Sequence, residues 1–308
     1  MVSRVATQIA FVAAASLLSG CGAPSSAPAE YAAMPDNAEC SADCGEEEAR
    51  VSVEILQPSE LPETLPQIGL RSPNEGEVIA EGDVLLDIQL ENWVLGPHPG
   101  NHVHLIVDNE PYIALRDVGA PLNLSALYRR TFERELEPGL HVVRMFPSRG
   151  HHESVKSGRP FVIRSFYVGA SDGESFDPEA PVLTYSRPKG SAPHGQDLLL
   201  DFYISGVAGL VDDAASEPGD TVRVAEGGTA STETEWADHA IPGEAGYTVR
   251  LTLDGVAHTL RQWAPYAVRG LEVGQHEIRL QLIAPNGEQA PGPFNNTVRT
   301  IRIEATQP

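Results

Sequence analysis

From Ile68 onward, apolar residues fall at every second position in short runs, broken by Gly, Pro, Asn and Asp every eight to twelve residues. That alternation puts one face of each run inward and the other outward, the period of a half-buried strand. No stretch of the body sustains the three-to-four-residue period of a helix. The pattern therefore predicts an all-β protein of sandwich type. It also repeats. "EGDVLLDIQL" at 81–90 returns as "HGQDLLLDFYI" at 194–204, and "GNHVHLIVDN" at 100–109 as "GYTVRLTLDG" at 246–255. "LEPGLHVVRM" at 136–145 returns as "LEVGQHEIRL" at 271–280, and "FVIRSFYV" at 161–168 as "TVRTIRIE" at 297–304. Four blocks in the same order mean two copies of one module.

The copies are placed at 66–169 and 180–306, joined by a linker at 170–179. Each has about the hundred residues of an immunoglobulin-like sandwich, so the expectation is two tandem immunoglobulin-like domains. In that scheme 84–93, 102–108, 140–146 and 161–168 are strands B, C, F and G of the first copy. The copies differ in length at two places. Asp108 to Gly139 is eleven residues longer than Asp254 to Gly274, and its extra segment predicts a single helical turn opened by Pro121. The second copy carries a long acidic excursion between strands B and C, read as a solvated loop. Its Asp212, Asp213, Glu217 and Asp220 lack the ligand spacing of a calcium loop.

The front of the chain is different. Arg4, an apolar run from Val5 to Leu18 and then small residues form a secretory signal over residues 1–20, too short to span a bilayer. Residues 21–65, rich in Pro, Ala, Ser and Glu with no apolar periodicity, are expected to be a disordered acidic tether. Leu18-Ser19-Gly20-Cys21 resembles the lipobox of bacterial lipoproteins. The resemblance implies cleavage before Cys21 and acylation of that cysteine, palmitate being the usual acyl group. It thus implies a lipid-anchored protein of the cell envelope, and Gly22 after the cysteine points to the outer membrane of a Gram-negative cell. Two or more acyl chains, at about 0.8 kcal/mol per buried methylene, anchor essentially permanently. Cys40 and Cys44 then remain, and an oxidising periplasm makes a local disulfide between them the default. Their C-x-x-x-C spacing also resembles the copper-binding pair of cytochrome oxidase assembly factors, but no thioredoxin-like strand and helix surround it. The formal net charge of −22 argues against nucleic acid as a partner.

Histidine is the candidate chemistry. Three histidines stand within seven residues, His98, His102 and His104, and two more, with a carboxylate, follow as His151, His152 and Glu153. The repeat fixes the strand phase. Val249, Leu251 and Leu253 must be the core face of the second copy, so Val103, Leu105 and Val107 point inward and His102 and His104 outward, about 7 Å apart along one wet face. His141 and His276 occupy matching positions in both copies and read as structural. Strands C and F are antiparallel neighbours, so the B–C loop with His98, the start of C and the F–G loop with His151, His152 and Glu153 meet at one pole. At the positions matching the start of C and the F–G loop, the second copy has Thr248, Arg250 and "APNGEQAPGPF", with no histidine. Imidazole suits Zn or Cu, and these six residues form the candidate metal site. An alternative is an anionic small ligand or peptide, because Arg144, Arg149, Lys156, Arg159 and Arg164 crowd the same loop. A further alternative is a non-catalytic scaffold or adhesion module that contacts another envelope protein.

No catalytic motif survives inspection, and the chain is not expected to be an enzyme. "GASDG" matches the G-x-S-x-G string of serine hydrolases, yet Ser171 lies in a linker and not on a strand-to-helix turn. "HHESVK" begins like the zinc-protease helix, but Lys156 stands where its second histidine is needed. "HVHLIVDNEPYIAL", "LEPGLHVVRMFPSR" and "HHESVK" together resemble a group of uncharacterised periplasmic and lipoprotein β-sandwich domains of bacteria, over residues 95–168. That resemblance implies fold and compartment only.

Overall fold

The computed structural model describes residues 51–306, except 81, 172, 214–220, 226–235 and 241–245. The signal segment, Cys21, Cys40, Cys44, Glu217 and Asp220 lie outside the described residues. The described residues are all-β apart from one short helix.

In the first sandwich, β2 (Gln67–Ser72), β4 (Leu85–Glu91) and β7 (Leu122–Asn123) make one sheet in the order β2-β4-β7. It faces a sheet ordered β3-β9-β8-β5-β6, made of β3 (Glu77–Ile79), β5 (His102–Val107), β6 (Ile113–Leu115), β8 (Gly139–Ser148) and β9 (Val162–Val168). β5 and β8 run antiparallel, as expected of strands C and F. Val103, Leu105 and Val107 enter the core between the sheets with Ile68, Leu86, Val143 and Phe166. The expected single helical turn is instead α1 (Leu124–Phe132), nine residues long. Asn123, not Pro121, opens it, its side chain accepting a hydrogen bond from the Ala126 amide at 2.8 Å. Leu124, Leu127 and Tyr128, spaced one helical turn apart, bury its inner face.

The second sandwich repeats the plan. One sheet runs β1-β17-β12-β10, from β1 (Ser52–Ile55), β10 (Val182–Arg187), β12 (Leu198–Ser205) and β17 (Tyr266–Arg269). The other runs β11-β19-β18-β15-β16, from β11 (Ser191–Pro193), β15 (Thr248–Leu253), β16 (Val256–Leu260), β18 (Gly274–Ile283) and β19 (Asn296–Glu304). The B–C excursion read as a loop carries an antiparallel pair, β13 (Thr221–Ala225) with β14 (Trp236–Ala240). Its described acids are engaged locally: Asp212 pairs with Arg261 at 2.7 Å, and Asp213 accepts from the Leu210 and Trp263 amides.

One feature departs from the sequence reading. The end of the expected tether is not free. β1 adds itself to the edge of the second sandwich by pairing with β17, and the chain then crosses to the first sandwich, where Asn92 donates to the Leu65 carbonyl. An edge strand offers a row of unpaired backbone groups, and Ser52–Ile55 satisfies them. The Pro-rich composition that suggested disorder describes a segment that gains its order from a partner sheet.

The two sandwiches also pack together. The outer face of β5, β8 and β9 is covered by the outer face of β10 and β12. Ile106, Tyr112, Phe146 and Phe161 form an apolar cluster with Tyr203 of the second sandwich, and Trp263 packs against it. Around it the contacts are polar. Lys156 pairs with Asp201 at 2.5 Å, and Arg144 donates to Thr184 Oγ1 at 3.1 Å while its guanidinium lies 3.9 Å above the Phe294 ring. Arg159 donates to the Val207 carbonyl at 2.7 Å. Among the described residues, no helix is long and apolar enough to cross a membrane.

Candidate functional site

His102 and His104 leave β5 on the side opposite Val103 and Leu105, the phase the repeat predicts. The wet surface expected there does not exist. Both residues are fully buried, because the second sandwich closes over that face. The F–G loop reaches the same place. Arg149, Gly150 and His151 turn tightly, with the His152 amide bonded to the Arg149 carbonyl at 2.8 Å and His152 itself at a positive φ of 74°. A non-glycine residue in that conformation is uncommon and costs about 1 kcal/mol or more, and such residues concentrate at functional sites. Gly150 makes the turn possible. A Cβ there would lie 1.9 Å from the Pro99 carbonyl oxygen, so only glycine lets the F–G loop sit on the B–C loop.

Three imidazoles meet at one point. His102 Nε2 is 3.0 Å from His104 Nε2 and 2.9 Å from His152 Nδ1, and His104 Nε2 is 3.4 Å from His152 Nδ1. The outward nitrogens are occupied: His102 Nδ1 donates to the Gly100 carbonyl at 3.0 Å, and His104 Nδ1 lies 3.1 Å from Ser186 Oγ of the second sandwich. A carbonyl can only accept, so neutral His102 carries its proton on Nδ1 and turns the Nε2 lone pair inward. Tyr112 completes the wall. Its ring stacks on His104 at 3.7 Å between centroids, and its hydroxyl is 3.2 Å from His152 Nδ1.

Burial disfavours the charged form of all three rings. Desolvation lowers the pKa of His102 and takes His104 well below the usual histidine range. It takes His152 down to about 3, with the positive charges of Arg187, Arg116 and Lys189 adding to the effect. Desolvation raises Tyr112. Arg116 is held by the Gly96 and Gly100 carbonyls at 3.0 and 2.9 Å, and Lys189 by the Tyr112 carbonyl at 2.7 Å.

The other expected site residues are elsewhere. His151 turns away from the cluster and bonds Glu153 Oε2 at 3.0 Å. Glu153 also takes the Ser59 amide at 3.0 Å and the Ser59 hydroxyl at 2.5 Å, so this pair fastens the N-terminal segment to the F–G loop. His98 is exposed on the B–C loop. The basic residues expected to form an anion pocket are consumed in packing. Arg144, Lys156 and Arg159 staple the sandwiches, Arg149 holds the Glu60 carbonyl at 2.5 Å, and Arg164 reaches the Leu70 carbonyl at 3.4 Å. His141 is structural as read, with Nδ1 on Asp108 at 2.8 Å and Nε2 on the Glu137 carbonyl at 2.7 Å.

Tyr112, Ser186, Arg187 and Lys189 were missed. Tyr112 carried a signal: it directly precedes β6, the hairpin strand that pairs with β5 and sets Ala114 opposite His104. The other three belong to the far sandwich, and nothing local in "YSRPKG" places them here.

No family model and no curated protein matches the chain. Among solved structures it is similar to the fibronectin(III)-like modules of CbhA from Clostridium thermocellum, at 11 % identity and a TM-score of 0.25, over 78 % of this chain and 95 % of that one. It is also similar to SGBP-B of the Bacteroides ovatus mixed-linkage glucan utilization locus, at 11 % identity and a TM-score of 0.19, over 82 % and 70 % of the two chains. The D00-D0 domain of Intimin follows at 9 % identity and a TM-score of 0.21, over 77 % and 98 %. The class of protein, a tandem β-sandwich with a three-histidine cluster, rests on this chain's own strand order and side chains.

Proposed function

We propose that this chain is a lipid-anchored protein of the bacterial envelope whose first sandwich binds one transition-metal ion, Zn or Cu, through His102, His104 and His152. The observation that carries this reading is the convergence of three ring nitrogens at 2.9–3.4 Å with the outward nitrogens of His102 and His104 engaged by Gly100 and Ser186. Ligands placed about 2.0–2.1 Å from an ion in tetrahedral array lie about 3.3 Å apart, so the rings need shift only a few tenths of an ångström. Outward hydrogen bonds that orient the rings, and for His102 fix the tautomer, are the support a histidine ligand requires. Three histidines leave a fourth coordination position. The envelope location and the lipid anchor rest on the apolar leader and Cys21. The basic F–G residues that opposed a cation are engaged in packing and do not face the cluster.

The test is metal analysis of the full chain after equilibration with Zn or Cu. One equivalent is expected, and none in the His102→Ala/His152→Ala double variant. Unchanged stoichiometry in that variant ends the reading. The second reading, a non-catalytic scaffold or adhesion module, is favoured by the staples between the sandwiches and by the strap that spans them, and it is what remains if the wild-type chain takes up no metal.

A further inference from the structure

Beside the histidine cluster lies a cavity of about 410 Å³. The turn from β10 to β11 forms one wall and the strap residue Leu56 another, with Leu198 and Ile301 on its floor. Arg187 and Lys189 supply its charge. Lys189 is tied to the Tyr112 carbonyl. The one carboxylate in the lining, Asp197, is paired with Arg269 at 2.8 Å. The Arg187 guanidinium is different. Among the described residues its side chain makes no hydrogen bond and no ion pair, and it lies 5.8 Å from the centre of the Tyr112 ring. Tyr112 in turn stacks on His104, so Arg187 stands between the cavity and the cluster.

Charge gives this placement meaning. Three neutral imidazoles offset none of an ion's charge, and the neighbouring side chains Arg116, Arg187 and Lys189 are all cationic. An ion held there leaves uncompensated positive charge in a largely desolvated site, which is costly unless an anion joins it. A guanidinium with its donors free is the group best shaped to bind a carboxylate, by two parallel hydrogen bonds. We infer that this cavity is a binding site for a small organic carboxylate, its charged end on Arg187 beside the metal position and its aliphatic part against Leu56, Leu198 and Ile301. The inference deepens the metal reading and rests on it for the role of the anion, but the carboxylate site itself can be tested without a metal.

The experiment uses the full chain with copper and butyrate as probes. Copper stoichiometry is measured first. Butyrate is then titrated by calorimetry into the loaded and metal-free protein, with the visible spectrum of the loaded form followed alongside. Saturable binding is expected, with a shift of the copper bands, and it should weaken roughly tenfold or more in Arg187→Gln while copper stoichiometry stays the same. Copper uptake with neither butyrate heat nor a spectral shift overturns the carboxylate site and leaves the metal reading standing. If no copper binds, the metal reading falls, and butyrate binding to the metal-free chain decides the cavity: Arg187-dependent binding supports it, and no binding overturns it. Should Arg187→Gln misfold, Arg187→Lys and added salt serve instead. Butyrate affinity that is indifferent to both overturns the proposal.

Discussion

The two sandwiches carry histidines of two kinds, and comparing them separates architecture from chemistry. Each has a clamp in which a histidine at the start of strand F bonds an aspartate at the end of strand C. In the first, His141 Nδ1 meets Asp108 at 2.8 Å and Nε2 meets the Glu137 carbonyl at 2.7 Å. In the second, His276 meets Asp254 at 2.6 Å and the Glu272 carbonyl at 2.8 Å. Asp108 and Asp254 share a positive φ, 49° and 45°. A feature that both copies build in the same geometry serves the fold. His102 and His104 have no such echo. Thr248 and Arg250 stand in their places, on a strand whose outer face stays open to solvent, whereas the outer face of β5 is sealed by a neighbouring module. The lesson is that a strand phase can be right about direction and wrong about solvent.

The sharpest break in the comparison is the loss of metal. His102→Ala/His152→Ala should take bound Zn or Cu from one equivalent to none, while Thr248→Ala/Arg250→Ala leaves it unchanged, both read by metal analysis. Next comes the seal. Asp201→Ala leaves Lys156 without its buried partner, which should cost about 3–5 kcal/mol in chemical denaturation. It should also weaken metal binding through the lost cover over His104, an effect that no change on the open face of β15 can produce.

The F–G loops give a smaller contrast. Gly150→Ala forces its methyl against the Pro99 carbonyl and should cost about 1–3 kcal/mol, shift His152 and lower metal affinity. Gly287→Ala in the second sandwich meets no neighbour within 4 Å and pays only for its φ of 85°, about 1 kcal/mol, with metal affinity untouched.

The smallest effects should be at the clamps. Burial lowers the pKa of His141 and of His276, but the aspartate hydrogen bond and charge outweigh it, so both stand above the usual histidine value. Each clamp's contribution is therefore fully present below about pH 6.5 and is lost as the pH rises through the raised value. Asp108→Asn should cost about 1 kcal/mol on the acid side. Asp254→Asn should cost less, because its carboxylate is 46 % exposed against 35 % for Asp108. Histidine NMR titrations in the two variants should show His141 and His276 returning toward the ordinary value.

Much of this was legible in the chain. The alternation around Val103, Leu105 and Val107, checked against Val249, Leu251 and Leu253, gave the face of each strand. Antiparallel C and F strands brought the F–G loop to His102. Which loop histidine turns inward was not legible. His151 and His152 are identical residues one position apart, and the choice follows from a turn enforced by contact between Gly150 and Pro99. The basic residues around the F–G loop misled for a related reason, since charge in a sequence does not reveal that Arg144, Lys156 and Arg159 find their partners on another module.

The alternating pattern and the internal repeat by themselves determined two β-sandwiches and a pole rich in imidazole in the first, because strand periodicity is a local property that any short window of residues expresses. Only the tertiary structure decided that the pole is buried, that Tyr112, Ser186, Arg187 and Lys189 surround it, and that residues 52–65 strap both sandwiches together. Those outcomes depend on surface complementarity among residues far apart in the chain, each contributing one or two contacts, and no local pattern records such a match.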